Sequence, residues 1–222
     1  MALFAALSYA VTQSGRGGGN IDRETTALAA AQIVQYAGLV QQTIQRLQIS
    51  AGCADDELSF WDDSNGDNTE DNMDNYFNPN APSDRSCHIF QPEGGNVNSM
   101  DLDQSILDTS FSSAAFYGDF YIFATGLGFA MFLGTIERDF VFVIPYVSND
   151  FCTTYNENLG NHDFFIEDNN ITDLTPYFTG NFSSGGDINN PIADTMLFGG
   201  CIQGNFPFDD SANLAYFTLL IR

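Results

Sequence analysis

The residues best suited to chemistry lie in an acidic loop. Residues 62–80 read DDSNGDNTEDNMDNYFNPN, a stretch in which carboxylates and amides alternate around Gly66. Calcium takes about six to eight oxygen ligands, and alternating Asp and Asn side chains let one loop surround the ion. The pattern therefore predicts a calcium site whose ligands are Asp63, Asn65, Asp67 and Asp71.

The loop departs from the EF-hand, the best-known calcium motif. An EF-hand needs a glycine at its sixth position, and placing Gly66 there would put Trp61 at the first ligand position. Trp61 offers no oxygen to a cation. A solvated loop on an acidic surface is the other interpretation, and the sequence leaves both open.

Cysteine usage indicates an oxidising compartment. The four cysteines, at positions 53, 87, 152 and 201, are widely spaced and include no C-x-x-C pair. Zinc sites usually contain closely spaced ligands, so two disulfides are predicted, with four buried free thiols as the alternative. Three pairings are possible. We favour Cys53 with Cys87 and Cys152 with Cys201, because each bridge then closes one local segment.

The sequence shows no constellation typical of an enzyme. His88 follows Cys87 directly, and adjacent residues of a strand point to opposite faces, so the two do not form a catalytic pair. His162 and Asp163 form an isolated pair in a loop. The motifs of serine hydrolases, zinc proteases and dinucleotide-binding enzymes are all missing from the sequence. We predict that the protein is not an enzyme and that calcium is its one candidate cofactor.

The charge balance restricts the partners of the protein. The chain has 29 acidic residues against 6 basic ones, all of them arginine, for a net charge of -23. The absence of lysine excludes a phosphate-binding P-loop and a Schiff-base lysine. A polyanion of this size repels nucleic acid and anionic lipids, so we predict no nucleic-acid partner.

Residues 1–50 form the first of two predicted units. Residues 1–11 are apolar but shorter than the roughly 20 residues that span a bilayer. Residues 13–19 contain a glycine run that should break a helix, and an amphipathic helix is predicted over residues 25–48, with Gly52 as its terminator. The apolar stripe of this helix consists of Ile33, Tyr36, Ala37, Val40, Ile44 and Leu47. The opposite face carries mainly glutamine.

Residues 51–222 form the second unit, an acidic β domain. Residues 120–136 lack any charge, but their aromatic and β-branched residues and three glycines favour strands over a membrane span. Residues 140–144 predict another strand that ends at Pro145. Short apolar runs between polar clusters continue to residue 221. The predicted fold class is α+β, with a long N-terminal helix packed on a disulfide-bearing antiparallel β domain.

The layout resembles that of type IV pilins and pseudopilins, and more closely that of pilin-like proteins of proteobacteria. The resemblance rests on residues 3–11 (LFAALSYAV) leading into residues 13–15, and on residues 86–90 (SCHIF) with residues 92–95 (PEGG). The prepilin cleavage site that defines the family would lie upstream of residue 1. We therefore expect that the sequence is truncated at its N-terminus.

The resemblance implies a structural function. The N-terminal helix would form the core of an extracellular filament, and the β domain would form its outer surface. The subunit would assemble with its own copies or with other pilins, after residing in the inner membrane through its N-terminal segment. The expected assembly interface consists of Leu3, Phe4, Leu7, Val11, Ala27, Ala30, Ala31 and Val34. The alternative is a secreted or membrane-tethered β module that binds glycans or surfaces, with calcium as its cofactor.

Overall fold

The computed structural model describes residues 19–62, 76–114, 116–127, 139–160, 166–168, 177–182, 187–188, 199–204 and 212–220. Helix α1 is Gly19–Ser50, and helix α2 is Asn149–Asn158. The strands are β1 (Tyr121–Leu127), β2 (Asp139–Val147), β3 (Ile166–Asp168), β4 (Asp187–Ile188), β5 (Gly199–Gly204) and β6 (Ala212–Leu220). They form one sheet in the order β3-β5-β6-β2-β1-β4.

The predicted α+β class is confirmed, and the sheet is antiparallel at its centre. Strands β5, β6, β2 and β1 pair antiparallel in that order. The two edge strands, β3 and β4, pair parallel with β5 and β1 respectively. The sheet is therefore mixed, whereas the sequence predicts a purely antiparallel one. The difference lies in the two short edge strands.

Strand β2 is the centre of the core and is buried on both faces. Phe140, Phe142 and Ile144 belong to the apolar cluster that includes α1 and α2. Val141 and Val143 point to the other face, where they join a second cluster. Burial on both faces explains why the segment reads as a continuous apolar run rather than an alternating one.

The prediction that this strand ends at Pro145 is wrong, because β2 continues to Val147. The pairing with β6 shifts register between Pro145 and Val147, and Tyr146 between them has a positive φ of 59°. A β-bulge of this kind tolerates a proline, which cannot donate a hydrogen bond to a regular ladder.

Helix α1 buries the stripe that its periodicity predicts. Ile33, Ala37, Val40, Ile44 and Leu47 are all buried in the main core, whereas Tyr36 is half-buried. The helix begins at Gly19, six residues earlier than predicted, so the last glycine of the run is already helical. Its C-terminal end is as predicted: Gly52 adopts a positive φ of 73°, the conformation that commonly follows a helix.

Helix α2 is absent from the sequence-based prediction. Its segment, NDFCTTYNEN, is mostly polar, but Phe151, Cys152, Tyr155 and Asn156 are buried against the sheet. The hydroxyl oxygen of Ser148 accepts a hydrogen bond from the Phe151 N–H at 3.2 Å and caps the helix. This N-cap serine, with Asp150 in the first turn, is a sequence signal that could have revealed the helix.

Both disulfides are present with the predicted pairing. Cys53 is bonded to Cys87 and Cys152 to Cys201, so all four cysteines are oxidised. The first bridge joins the end of α1 to the loop at residue 87, and the second joins α2 to β5.

The described part of α1 shares one hydrophobic core with the sheet. The predicted boundary at residue 50 therefore marks a change in composition and not a change of core.

No described helix is both long enough and apolar enough to cross a membrane. Part of the uncharged run at residues 120–136 forms strand β1, as the sequence predicts.

Candidate functional site

Eight of the predicted site residues lie outside the described residues. They are the calcium ligands Asp63, Asn65, Asp67 and Asp71 and the apolar residues Leu3, Phe4, Leu7 and Val11. Within the described ranges, no group of three or more His, Cys, Asp or Glu side chains could hold a metal ion. The calcium site remains a prediction from sequence.

The predicted assembly residues on α1 divide into two sets. Ala30 is fully buried in the core of its own chain beside Ile33, so its side chain offers no accessible surface in the single subunit. The helix rotates by about 100° per residue, which turns Ala30 inwards. Ala27, Ala31 and Val34 lie on the flank of the helix and remain partly accessible.

One side of α1, which we call the outer face, is exposed and almost uncharged. It consists of Leu28, Gln32, Gln35, Leu39, Gln42 and Arg46. Leu28 is 60% exposed and Leu39 is 48% exposed. Beyond Glu24, Arg46 is the only charged side chain of α1, although the chain as a whole carries a net charge of -23. The eleven-residue spacing of the two leucines, about three helical turns, could have identified this face from the sequence.

The flank beside the outer face is lined by small residues. Ala27, Ala31, Val34 and Gly38 follow one another at helical spacing. Gly38 has no heavy atom within 4 Å of the position that a Cβ would occupy. Glycine in a helix interior destabilises the helix by about 1 kcal/mol relative to alanine, and no packing within the described chain requires it here. The flank leaves room for another helix to approach α1 closely.

A groove runs along the other side of the outer face, between α1 and residues 95–106. It comprises two adjoining cavities of about 340 Å³ and 590 Å³. Tyr36, Leu39 and Met100 line both cavities, and Leu102 and Ile106 extend the apolar lining of the first. The outer face and the α1 side of the groove form a continuous surface with apolar side chains and little charge, whereas the opposite wall of the groove carries Asp101 and Asp103.

A side-chain hydrogen bond holds the wall of this groove to α1, and backbone hydrogen bonds hold the wall to residues 88–89. The Arg46 guanidinium donates a hydrogen bond to the Gly95 carbonyl at 2.8 Å. The Gly95 N–H donates to the His88 carbonyl at 2.7 Å, and the Val97 N–H donates to the Ile89 carbonyl at 3.2 Å. The groove is therefore a fixed feature of the fold.

Behind the groove wall, His88 lies in a compact aromatic environment. Its ring meets the Trp61 ring edge-on, with centroids 5.8 Å apart, and the Arg85 guanidinium stacks 5.1 Å from the Trp61 ring centre. Burial, followed by the nearby positive charge of Arg85, lowers the pKa of His88 to about 4. The carboxylates of Glu93 and Asp84 act in the opposite direction, but burial dominates.

The shift at His88 predicts a loss of stability in mild acid. The pKa of an exposed histidine in the unfolded chain is about 6.5, so between pH 6.5 and 4 the unfolded state binds more protons than the folded state. The free energy of unfolding should therefore fall as the pH falls through this window. Urea unfolding between pH 4.5 and 7 should show this slope in the wild type and a flatter slope in His88→Gln. Equal slopes in the two proteins would show that His88 is not the source of the pH dependence.

In comparisons with known proteins, no family model, no curated protein and no solved structure matches this chain. The geometry of the chain itself therefore carries the functional proposal.

Proposed function

We propose that the protein is a structural subunit of a pilus-like extracellular filament, or a minor pseudopilin of the same kind, that assembles through helix α1. The observation that supports this proposal is the outer face of α1, which exposes Leu28 and Leu39 and carries no acidic side chain beyond Glu24. Its partners would be other copies of the chain or other pilins. The β domain would face the medium.

Electrostatics restrict where copies of this chain can meet. Two chains of net charge -23 repel each other wherever acidic surfaces approach. At physiological ionic strength this repulsion is screened beyond about 8 Å, so contact through an uncharged surface is tolerated while contact through acidic surfaces is opposed. Among the described elements, α1 supplies the longest uncharged surface. Assembly through α1 would leave the acidic β domains outside.

The apolar side chains of α1 would then supply the attraction. Burial of a leucine side chain contributes about 1.5–3 kcal/mol, and Leu28 and Leu39 are exposed in the single chain. The small side chains at Ala27, Ala31 and Gly38 would let a neighbouring helix approach. Leu3, Phe4, Leu7 and Val11, in the segment before α1, would add apolar area and hold the subunit in the inner membrane before assembly. The two disulfides suit an extracellular location.

A charge placed on the outer face should prevent assembly without unfolding the subunit. Leu39→Glu introduces an acid where apolar area would be buried, whereas Phe77→Glu makes the same kind of change at a residue that is 60% exposed outside α1. We expect electron microscopy of sheared surface material to show filaments for the wild type and Phe77→Glu. Leu39→Glu should leave folded, dispersed subunits.

Circular dichroism of each variant separates loss of assembly from loss of folding. Filaments formed equally by both variants would contradict the assignment of the outer face. A wild-type protein that remains a monomer at the cell surface would contradict the proposed function as a whole.

A further inference from the structure

The outer face of α1 is part of a longer seam with a strict spacing. Thr25 precedes Leu28 by three residues and Ile49 follows Arg46 by three, so successive members of the seam alternate between three and four positions. The eight residues that share this spacing are all exposed: Thr25, Leu28, Gln32, Gln35, Leu39, Gln42, Arg46 and Ile49. A repeat of seven residues is the period of a coiled coil, in which two helices pack along one such seam.

We propose that a second copy of the chain docks on this seam, with its α1 antiparallel to the first and a two-fold axis between them. A pair of this kind requires a surface that is complementary to itself. Antiparallel α1 helices can be aligned so that Leu28 of one lies opposite the partner's Leu39. The two-fold axis then repeats the same contact between Leu39 and the partner's Leu28, so all four leucines are covered.

The same alignment matches the polar and the small residues of α1. Gln32 lies level with the partner's Gln35, so the side-chain amides of the two central layers can hydrogen-bond to each other. On the flank, Ala31 lies level with the partner's Gly38, and Gly38 has open space where a Cβ would be. Two small residues at this point let the helix axes approach closely. Apolar, amide and small residues therefore each meet residues of their own kind.

Charge favours the antiparallel direction. Glu24 and Arg46 lie near opposite ends of the seam, and both are exposed. In the antiparallel alignment, Arg46 lies within about one helical turn of the partner's Glu24, and this contact occurs twice. In a parallel pair without stagger, each of these charges would face its own copy and be repelled. The groove acids Asp101 and Asp103 lie beside the middle of the seam, where the partner's α1 is uncharged.

This proposal uses the same outer face as the proposed filament and adds a closed arrangement of it. A two-fold pair covers the seam of both copies, so it does not extend into a filament. Subunits anchored side by side in one membrane point in the same direction, so the pair would form only between released subunits. The polar central layers and the net charge of -23 per chain weaken it. We expect a dissociation constant on the order of 0.1 mM, so dilute subunits remain single.

Disulfide cross-linking of the full chain tests the direction and the alignment. All four native cysteines are oxidised, so Thr25→Cys and Gln42→Cys each supply the one free thiol of their chain. Positions 25 and 42 face each other in the antiparallel pair, whereas the two copies of position 25 lie about 25 Å apart along the helices. When the two variants are mixed at about 1 mM and oxidised, the mixed dimer should form about tenfold faster than either homodimer. Ser83→Cys, exposed outside α1, should show no such preference for either variant.

Sedimentation equilibrium of charge variants tests the contact between Glu24 and Arg46. Glu24→Arg and Arg46→Glu should each weaken self-association about tenfold, because each replaces two attractions by two repulsions. The double variant should associate as the wild type does. Arg46 also donates to the Gly95 carbonyl, so circular dichroism must show that Arg46→Glu is folded. If it is not, Glu24→Arg and the cross-links still decide the outcome.

Three results would overturn the proposal. They are faster cross-linking of Thr25→Cys to itself than to Gln42→Cys, equal rates for all mixtures including Ser83→Cys, and no self-association of the wild type up to about 1 mM. None of these results bears on the filament, which electron microscopy of sheared surface material tests separately. A chain that pairs in solution but forms no filaments would contradict the proposed function and leave the antiparallel pair in place.

Discussion

Replacing Cys152 and Cys201 together by alanine should lower the free energy of unfolding by about 4 kcal/mol. The two residues are separated by 49 positions, and their bridge joins α2 to strand β5. In the chain-entropy model, opening a loop of this length restores that much conformational freedom to the unfolded state. Both cysteines are also buried, so removal of the sulfur atoms leaves space in the core. A loss this large is comparable with the total stability of many domains.

Urea unfolding of the double variant beside the wild type measures this effect. Dithiothreitol supplies the control, because reduction of the wild type should destabilise it at least as much as the double variant, since both bridges open. The expectation fails if the double variant and the wild type unfold at the same urea concentration.

The second large effect is expected at Gly95, where alanine should destabilise the fold by about 2–3 kcal/mol. An added Cβ would overlap the Ile89 carbonyl and lie 2.7 Å from the Thr43 methyl carbon. The backbone at residues 89 and 95 cannot easily move apart to relieve this overlap, because hydrogen bonds hold both segments. The Ile89 N–H donates to the Ser59 carbonyl at 2.9 Å, and the Gly95 carbonyl accepts from Arg46. The same chain provides the matched control at Gly38.

Gly38→Ala makes the same chemical change in open space on α1. It should stabilise the subunit by about 0.5–1 kcal/mol through helix propensity. The melting temperatures of the two variants should therefore move in opposite directions. A Gly95→Ala variant as stable as the wild type would show that the close packing of residues 94–95 on residues 88–89 is not a feature of the protein in solution. A destabilised Gly38→Ala variant would contradict the open space beside that residue.

The helix and the disulfides could be predicted from sequence because their signals are local. The stripe from Ile33 to Leu47 repeats at helical spacing, and the favoured cysteine pairing follows from short separations along the chain. Helix α2 was not predictable in this way. Its four buried residues lie at helical spacing, but they span little more than one turn of a mostly polar segment, and the hydrogen bonds of Tyr155 and Asn156 run to β6 and β5. The Asn156 side-chain oxygen accepts from the Cys201 N–H at 2.8 Å, and the Tyr155 hydroxyl donates to the Tyr216 carbonyl at 3.1 Å.

The same distinction between local signals and contacts of distant segments applies to the surface of the protein. The outer face of α1 is contained in one helix, so its leucines and glutamines can be read from the sequence, although the inward turn of Ala30 depends on how the helix packs. In contrast, the rings of Tyr76, Tyr121 and Tyr177, which pack together beside strand β1, come from three distant segments. Their proximity follows from the pairing of Ile122 with Tyr177 and from the Tyr76 hydrogen bond to β1. No local pattern encodes contacts of this kind.

Thiol accessibility before and after assembly tests the central claim most directly. All four native cysteines are oxidised, so a cysteine introduced on the surface is the one thiol that a maleimide can modify. Gln35→Cys places it on the outer face of α1, and Ser83→Cys places it at another exposed position. We predict rapid labelling of both in dispersed subunits. In filaments, Gln35→Cys should be protected while Ser83→Cys stays reactive. Equal labelling of Gln35→Cys in subunits and filaments would contradict the proposal that α1 forms the assembly surface.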